Sequence, residues 1–477
     1  MDNKDKEGIT LKFIEIAKDT QKFISSDENQ AYYLDSMLAS SFEEETETIL
    51  VSLLKDPVYA AKFSEEYLEN LLKDKVREMI HTLRQQELPR VLPRKMARRT
   101  GEAIFNELDN YAIKQTVYLP IAGISLQLEE EKLEIGNVAF QKMTQERIDE
   151  VISHVASAIM ALSNTLEYKQ GFIKIFTEDL QKVFEDSESP VYAVYHVVAE
   201  PIRARERAVE ECYQVIDVLR YVLPLFSNLY PMRFSIPLEY IDNNLAETNK
   251  FVKREKKVER EPGGFISFGL QGEVGMNTTR QVIILRDSPG FNWNTDRKER
   301  FLPLALHPED IEEMKRAKVF EVSQIIKKGE ASQTNFERTI LRGIHWFANA
   351  QTPMQPEYIL LSLMSSIEAF LNPREREKVT KAITEGVAAL GGEQGYNYTK
   401  KRIEKLYDKR SALSHGDRTE ILERDISELR AIAFYIIHQM IQRIDEFITQ
   451  EQLYEEVKRI RKDIKQRISR NLPSNDS

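Results

Sequence analysis

The sequence predicts a multidomain α+β protein with a helical N-terminal region, a central α/β domain and an all-α helical bundle near its C-terminal end. Three observations lead to this fold class. The chain has 477 residues, 42% hydrophobic and 30% charged, which suits two to four domains with sizeable cores. Apolar residues follow helical spacing towards both ends of the chain. β-rich runs bounded by Pro and Gly occupy the middle.

The first region, residues 1–115, is expected to be helical. The segment FSEEYLENLLKDKVREMIHTL has apolar residues at helical spacing, separated by charges: Phe63, Leu68, Leu71, Leu72, Val76 and Ile80. Pro89 and Pro93 interrupt this pattern, so we interpret PRVLPRKMARRTG as a solvated connector. Its arginines and lysine leave a phosphate-binding patch as the alternative.

The second region, residues 116–330, alternates strands and helices. The segments VYLPIAGISLQLEEEKLEIGNVAFQKM and VYAVYHVVAEP are rich in β-forming residues and predict strands. A helix is expected from about Gln145 to Asn164, and RARERAVEECYQVIDVLRYVLPLF predicts a longer one. Alternation of this kind is typical of an α/β domain, with α+β as the open alternative.

The third region, residues 335–450, predicts five helices. The second of them, PEYILLSLMSSIEAFL, is apolar on nearly every side and is therefore expected to be the buried central helix. Residues 451–477 predict a basic amphipathic helix and tail. One apolar stripe of that helix contains Leu453, Val457, Ile460, Ile464 and Ile468.

Composition and motifs exclude several function classes. The net charge of -10 argues against attraction of the whole protein to nucleic acid, although a local basic face can still bind it. The single cysteine, Cys212, permits neither an intrachain disulfide nor a cysteine zinc site, and it fits a reducing cytoplasm. We find no signal peptide, no apolar run of about 20 residues, and no HExxH, GxSxG or Walker motif. A cytoplasmic protein without membrane contact, metal or cofactor is expected.

Arg410 lies on the apolar stripe of the fourth C-terminal helix. The residues of this stripe follow one another at sequence steps of three, four and three, which places them on one helix face: Ile403, Leu406, Arg410 and Leu413. Glu368 is the one charged residue on the corresponding stripe of the second helix. Because an unpaired buried charge is costly, we expect Arg410 to contact Glu368 across the bundle. The alternative is that this pair serves only to fix the helix register.

His415 is expected at the end of the same helix. Gly416 follows it directly, and glycine commonly terminates helices. Asp417 and Glu420 then resemble a capping box for the next helix. His345 is the other histidine of interest. It shares a polar helix face with Arg338, Arg342 and Asn349 and is expected at the surface.

Basic residues surround Arg410 and His415 in the sequence. We assign three of them, Lys405, Lys409 and Arg418, to an RNA-binding face. A solvated helix face is the alternative. An arginine and a histidine beside a phosphate suit one reaction particularly well. The RNA 2′-hydroxyl is its own nucleophile, a histidine can transfer the proton, and an arginine can stabilise charge on the phosphate.

The segment RSALSHG resembles the R-x4-6-H motif of HEPN domains, and residues from about Asn335 to Glu446 resemble the Apea-like branch, including SSIEAFL and LYDKRSALSHGD. The resemblance implies an all-α, commonly dimeric bundle that cleaves RNA without metal at a composite site. Arg410 and His415 match the catalytic positions. Family members often carry Asn, Asp or His after the arginine, whereas this chain has Ser411, a weaker positioning group.

Many proteins of that family act in phage defence or abortive infection, so we expect an RNA endonuclease effector. Its first 330 residues would restrain it and sense a phage-derived or protein trigger. The C-terminal bundle would form a homodimer or a higher even oligomer. Lys462 and Lys465 in the basic tail would extend the RNA-binding surface, or the tail would simply pack on the bundle. A catalytically inactive HEPN module that binds RNA or a protein partner is the alternative.

Overall fold

The structure is a computed structural model. It describes residues 3–24, 42–85, 92–122, 124–160, 174, 191–226, 269–270, 276–279, 282–285, 304–351, 355–372, 379–393 and 395–471. The described chain is mostly helical, with one larger sheet and one two-stranded sheet. No helix among these residues is long and apolar enough to cross a membrane.

The N-terminal region is helical, as predicted, and has a hydrophobic core of its own. Apolar side chains from all five helices meet in this core, including Phe13, Leu53, Tyr59, Leu72 and Leu108. The helices are α1 (Asn3–Ile24), α2 (Glu43–Lys55), α3 (Pro57–Lys62), α4 (Glu65–Gln85) and α5 (Leu92–Tyr111).

The segment interpreted as a connector is helical from Leu92 onward, because α5 begins there. Pro93 lies in the first turn of this helix, where its missing N–H is not required for an intrahelical hydrogen bond. The apolar residues Ala97, Ile104 and Leu108 of α5 are fully or almost fully buried against the neighbouring helices. The sequence reasoning therefore missed this helix by treating a proline at its start as a break.

The larger sheet has seven strands in the order β3-β4-β5-β1-β8-β7, with β6 also paired to β1. Among the described strands of this sheet, most pairings are antiparallel and only the β1–β8 pair is parallel. A mainly antiparallel sheet corresponds to the α+β alternative and not to the predicted α/β domain. The strands are β1 (Ile113–Ala122), β2 (Ile124–Leu126), β3 (Lys132–Ile135), β4 (Val138–Lys142), β5 (Val191–Ala199), β6 (Gly269–Leu270), β7 (Met276–Thr279), β8 (Val282–Leu285) and β9 (Leu304–Leu306), of which β2 and β9 form the separate pair.

Four further helices accompany the sheets: α6 (Gln145–Met160), α7 (Pro201–Phe226), α8 (Pro308–Arg316) and α9 (Val319–Lys328). The long helix α7 is anchored at its start by Glu200, which is 1% exposed. The Glu200 carboxylate accepts hydrogen bonds from the backbone N–H groups of Arg203 (2.7 Å) and of Ser64 (3.1 Å), which lies between α3 and α4. This contact joins α7 to the N-terminal region.

The C-terminal region contains the five predicted helices: α10 (Asn335–Asn349), α11 (Pro356–Leu371), α12 (Val379–Leu390), α13 (Tyr396–Ser414) and α14 (Glu423–Gln442). Helices α10 and α11 approach closely at Gly343, where an added Cβ would overlap the Phe370 ring. The hydrophobic core continues from the sheet into this bundle, since Tyr221 of α7 stacks on Phe434 at 4.9 Å. The predicted boundary between residues 330 and 335 falls within this continuous core.

The predicted basic helix is α15 (Gln450–Asn471). Its apolar stripe packs on the bundle, with Leu453, Val457 and Ile464 buried and Ile460 and Ile468 partly buried. Packing of this stripe fixes which side chains of α15 face solvent.

Candidate functional site

Helix α13 carries both of the residues that match the R-x4-6-H motif. Ile403 and Leu406 are fully buried and Tyr407 is almost so, which anchors this side of the helix in the bundle. Arg410 follows on the same stripe, one turn towards the surface, and its side chain is 30% exposed. The arginine is therefore at the edge of the core, where a charged group can be held firmly and still reach solvent.

The predicted contact between Arg410 and Glu368 is confirmed. The guanidinium donates a hydrogen bond from Nη2 to Oε2 of Glu368 on α11 over 3.1 Å, and the Glu368 side chain is 14% exposed. The guanidinium carbon also lies 5.6 Å from the centre of the Tyr407 ring. Burial, followed by the neighbouring Glu368 carboxylate, raises the pKa of Tyr407. Two neighbouring side chains thus orient the arginine.

His415 occupies the end of α13, as its position before a glycine predicts. Gly416 adopts a φ of 83°, which a non-glycine residue rarely tolerates. Its N–H donates to the Leu413 carbonyl over 3.0 Å, and the Asp417 N–H donates to the Ala412 carbonyl over 2.9 Å. These two bonds form a Schellman motif that fixes the backbone of His415.

The His415 side chain is exposed, and no hydrogen bond holds its imidazole among the described residues. Arg410 and His415 are five residues apart, which on a helix corresponds to a rise of about 7.5 Å and a rotation of about 140°. Within the described part of one chain, no hydrogen bond joins their two side chains. The chain presents them separately, as a restrained arginine and an accessible histidine.

The segment after His415 is held to α13 by charged hydrogen bonds. Lys409 donates to the Glu420 carbonyl and to the Asp425 carboxylate, both over 2.6 Å. Arg402 binds the same Asp425 carboxylate over 2.6 Å and also contacts Glu428. Burial alone would raise the pKa of Asp425, but the hydrogen bonds from Lys409, the Leu422 amide and Arg402 lower it below its usual value. These bonds fix the chain on either side of the exposed histidine.

The predicted capping box of Asp417 and Glu420 is wrong. Helix α14 begins at Glu423, and the Asp425 carboxylate accepts the N–H of Leu422 over 3.1 Å. Asp425 lies at the third position of the helix, where a carboxylate can reach back to the residue that precedes the helix. Both predicted residues lie in the exposed connection before it, and Glu420 contributes its backbone carbonyl to Lys409.

The residues assigned to RNA binding fall into two groups. Lys405, Arg418 and Lys462 are exposed. Lys409 and Lys465 are engaged within the protein, Lys409 by Asp425 and Lys465 by Glu385, which it contacts over 2.8 Å. Ser411 is partly buried on α13. The exposed cations can bind a phosphate directly, whereas Lys409 and Lys465 would first have to break an ion pair with a carboxylate.

His345 lies at the surface, as predicted, but the sequence reasoning missed the carboxylate that it binds. His345 of α10 bonds through Nδ1 to the Asp217 carboxylate of α7 over 2.7 Å, and Asn349 contacts its Nε2 over 3.2 Å. Burial raises the pKa of Asp217, and the hydrogen bond to Asp217 raises the pKa of His345. The two residues are 128 positions apart. The signal in the sequence was a charged residue, Asp217, between apolar residues of a buried helix.

No family model matches this chain, and neither a curated protein nor a solved structure matches it.

Proposed function

We propose that this protein is a metal-independent RNA endonuclease of the HEPN type, an effector of prokaryotic defence that acts by abortive infection. One observation carries the proposal. Arg410 is oriented by Glu368 and Tyr407 at the edge of the bundle, and the same helix ends in an exposed His415 whose backbone is fixed by Gly416. The resemblance of RSALSHG to the R-x4-6-H motif supports this assignment of roles.

The chemistry is an internal transfer at phosphorus. The 2′-oxygen attacks the adjacent phosphate as its proton passes to a base, and the bond to the 5′-oxygen breaks as that oxygen receives a proton. The products are a 2′,3′-cyclic phosphate and a free 5′-hydroxyl. His415 would transfer protons, and Arg410 would bind the phosphate oxygens, where a guanidinium can stabilise the growing negative charge.

Two proton transfers are more easily served by two histidines than by one. We therefore propose a homodimer, or a higher even oligomer, in which the C-terminal bundles bring two Arg410–His415 sets together around one RNA strand. A mixture of Arg410→Ala and His415→Ala proteins tests this arrangement. A shared site recovers part of the activity that each variant lacks, whereas a strictly monomeric active enzyme in light scattering contradicts the arrangement.

Regulation by the N-terminal 330 residues is part of the proposal. Helix α7 contacts the N-terminal region through Glu200 and the bundle helix α10 through Asp217. It thus belongs to the proposed regulatory part and contacts both the N-terminal helices and the proposed effector. A phage-derived or protein trigger that moves the N-terminal region would act on the bundle through this helix, in the cytoplasm.

Rates of cleavage of a single-stranded RNA by purified variants test the catalytic assignment. We expect His415→Ala to lower the rate by about 10²- to 10⁴-fold, and Arg410→Ala by about 10²- to 10³-fold. His81→Ala is a matched control, since His81 is an exposed histidine on the N-terminal helix α4. Equal rates for wild type and His415→Ala would exclude His415 as a catalytic residue.

A catalytically inactive module that binds RNA or a protein partner is the second candidate. The observation in its favour is that Glu368 already neutralises Arg410, while Ser411 replaces the stronger positioning groups of the family. This function predicts RNA binding that Arg410→Ala weakens, with no cleavage by the wild-type protein.

A further inference from the structure

A surface pocket opens beside the Arg410–Glu368 ion pair. It has a volume of about 380 Å³. Helices α10 and α11 and the start of α15 supply its walls, chiefly through Arg342, Trp346, Ser365, Glu368, Asn372 and Gln450. Because Glu368 both lines this pocket and binds Arg410, only one side chain separates the pocket from the proposed phosphate-binding guanidinium.

Hydrogen bonds fix the part of the pocket wall that Arg342, Ala369 and Gln450 form. The Ala369 carbonyl accepts a hydrogen bond from Gln450 Nε2 over 2.7 Å and a longer one from Arg342 Nη2 over 3.4 Å. Gln450 is 7% exposed, and its backbone N–H donates to Asn335 over 3.3 Å. Arg342, an exposed residue, is therefore held at the pocket by its bond to the Ala369 carbonyl.

Trp346 provides an aromatic wall. It lies four residues after Arg342, and therefore one turn along the same face of α10, and it is 38% exposed. The His345 ring lies at 62° to its indole, with 5.8 Å between the ring centres. An exposed tryptophan next to an arginine is a typical surface for an unpaired nucleobase, because planar bases stack on aromatic rings and on guanidinium planes.

The size and the polar groups of the pocket limit the class of ligand that it can bind. Sites for small ligands usually have volumes of about 300–1,000 Å³, so this pocket suits one nucleotide and excludes a duplex. The Ser365 hydroxyl and the Asn372 amide lie on the same wall as Glu368 and can hydrogen-bond to the edge of a base.

We infer that this pocket receives one unpaired base of the RNA, next to the phosphate held by Arg410, with Trp346 as the stacking platform. The inference rests on the proposed function and specifies its substrate class. The enzyme would act on single-stranded or looped RNA, whose bases can turn outward, and would leave continuous duplexes intact. Trp346 would then determine which RNA is bound but would take no part in the bond cleavage.

Fluorescence of Trp346 reports on the pocket directly. The chain has two tryptophans, so Trp293→Phe leaves Trp346 as the single one, and His415→Ala keeps the RNA from being cleaved. In this background we expect hexauridylate and hexaadenylate to quench the emission, and a blunt RNA duplex to leave it unchanged. Absence of quenching by the single strands, or equal quenching by the duplex, would overturn the inference.

Affinity for a labelled hexauridylate, measured by fluorescence anisotropy, separates the roles of the residues. Trp346→Ala should weaken binding about fivefold to a hundredfold, and Trp346→Phe should stay within about threefold of wild type, because phenylalanine still stacks. Tyr213→Ala is the matched control: Tyr213 is an aromatic residue of α7 that is 50% exposed. Unchanged affinity in Trp346→Ala refutes the inference.

The outcomes for the pocket and for the catalytic proposal can be distinguished. RNA binding that depends on Trp346, without any RNA cleavage by the wild-type protein, would support base binding in the pocket and contradict the proposed nuclease activity. RNA cleavage that depends on His415 but proceeds equally well in Trp346→Ala, on single strands and duplexes alike, would support the nuclease activity and contradict base binding in the pocket.

Discussion

Replacement of Glu385 by glutamine should weaken the attachment of α15 to the bundle. The Glu385 side chain is 3% exposed and lies near three cations. Arg461 is at 2.6 Å, Lys465 at 2.8 Å and Lys400 at 3.3 Å from its oxygens. Glutamine keeps the size of the side chain but removes its negative charge, so the variant isolates the electrostatic contribution.

The pKa of this carboxyl gives the magnitude. Burial alone would raise it, but the hydrogen bonds from Lys465 and Arg461 outweigh burial and lower the pKa from 4.5 to about 2. A carboxyl with this difference between the unfolded and folded states stabilises the fold by about 3 kcal/mol when ionised. Glu385→Gln should therefore lower the free energy of unfolding by about that amount at neutral pH, since Arg461 then stays buried without this carboxylate.

The effect should depend on pH in one direction. Because the pKa of Glu385 is lower in the folded state, its contribution is fully present above about pH 4.5 and disappears as the pH falls towards about 2. The difference between wild type and Glu385→Gln should therefore shrink across this range and vanish near its lower end.

Urea unfolding followed by Trp346 emission, in the Trp293→Phe background, measures the stability of the bundle. Glu404→Gln is the control: Glu404 also pairs with Lys400, at 3.8 Å, but its side chain is 43% exposed. The control should change the free energy of unfolding by less than about 1 kcal/mol at every pH. A difference for Glu385→Gln that is equally small, or that stays constant down to acidic pH, would refute the electrostatic account of α15.

Three other predictions concern the described structure. In an NMR titration the raised pKa of His345 should fall towards or below 6.5 in Asp217→Asn. In the wild-type protein, protonated His345 stabilises the fold below pH 6.5, and this stabilisation should be lost as the pH rises through the pKa of the folded state. Gly343→Ala should lower the free energy of unfolding by about 1–3 kcal/mol, because its Cβ would overlap the Phe370 ring; an unchanged urea midpoint would contradict this packing. Cys212 is fully buried, and burial raises the pKa of its thiol, so Ellman's reagent should label it only after unfolding, whereas rapid labelling of the native protein would contradict its burial.

Local rules explain what could be predicted from the sequence. The Arg410–Glu368 contact was predictable because each is a charged residue on an otherwise apolar stripe, and each stripe must face the bundle. The position of His415 was predictable because Gly416 provides the left-handed conformation that ends the helix.

Tertiary contacts explain what could not be predicted. Lys465 has the same helical spacing whether it faces RNA or Glu385, and its partner is 80 positions away in the chain. His345 and Asp217 come from elements on either side of the predicted domain boundary, so helical periodicity gives no register between them. Asp425 caps α14 and is also bound by Lys409 and Arg402 of α13, and the local pattern at Asp417 and Glu420 does not reveal these contacts.

The central claim is that Arg410 and His415 direct attack by the RNA's own 2′-hydroxyl. Cleavage in EDTA of a single-stranded RNA, beside an identical strand with one 2′-deoxy nucleotide at the cleaved position, tests it most directly. The account predicts that the all-ribose strand yields a 2′,3′-cyclic phosphate and a 5′-hydroxyl, and that the substituted strand is not cut at that position. His415→Ala should cut the all-ribose strand about 10²- to 10⁴-fold more slowly than wild type. Equal cleavage of both strands, or cleavage only when a divalent metal is supplied, would contradict it.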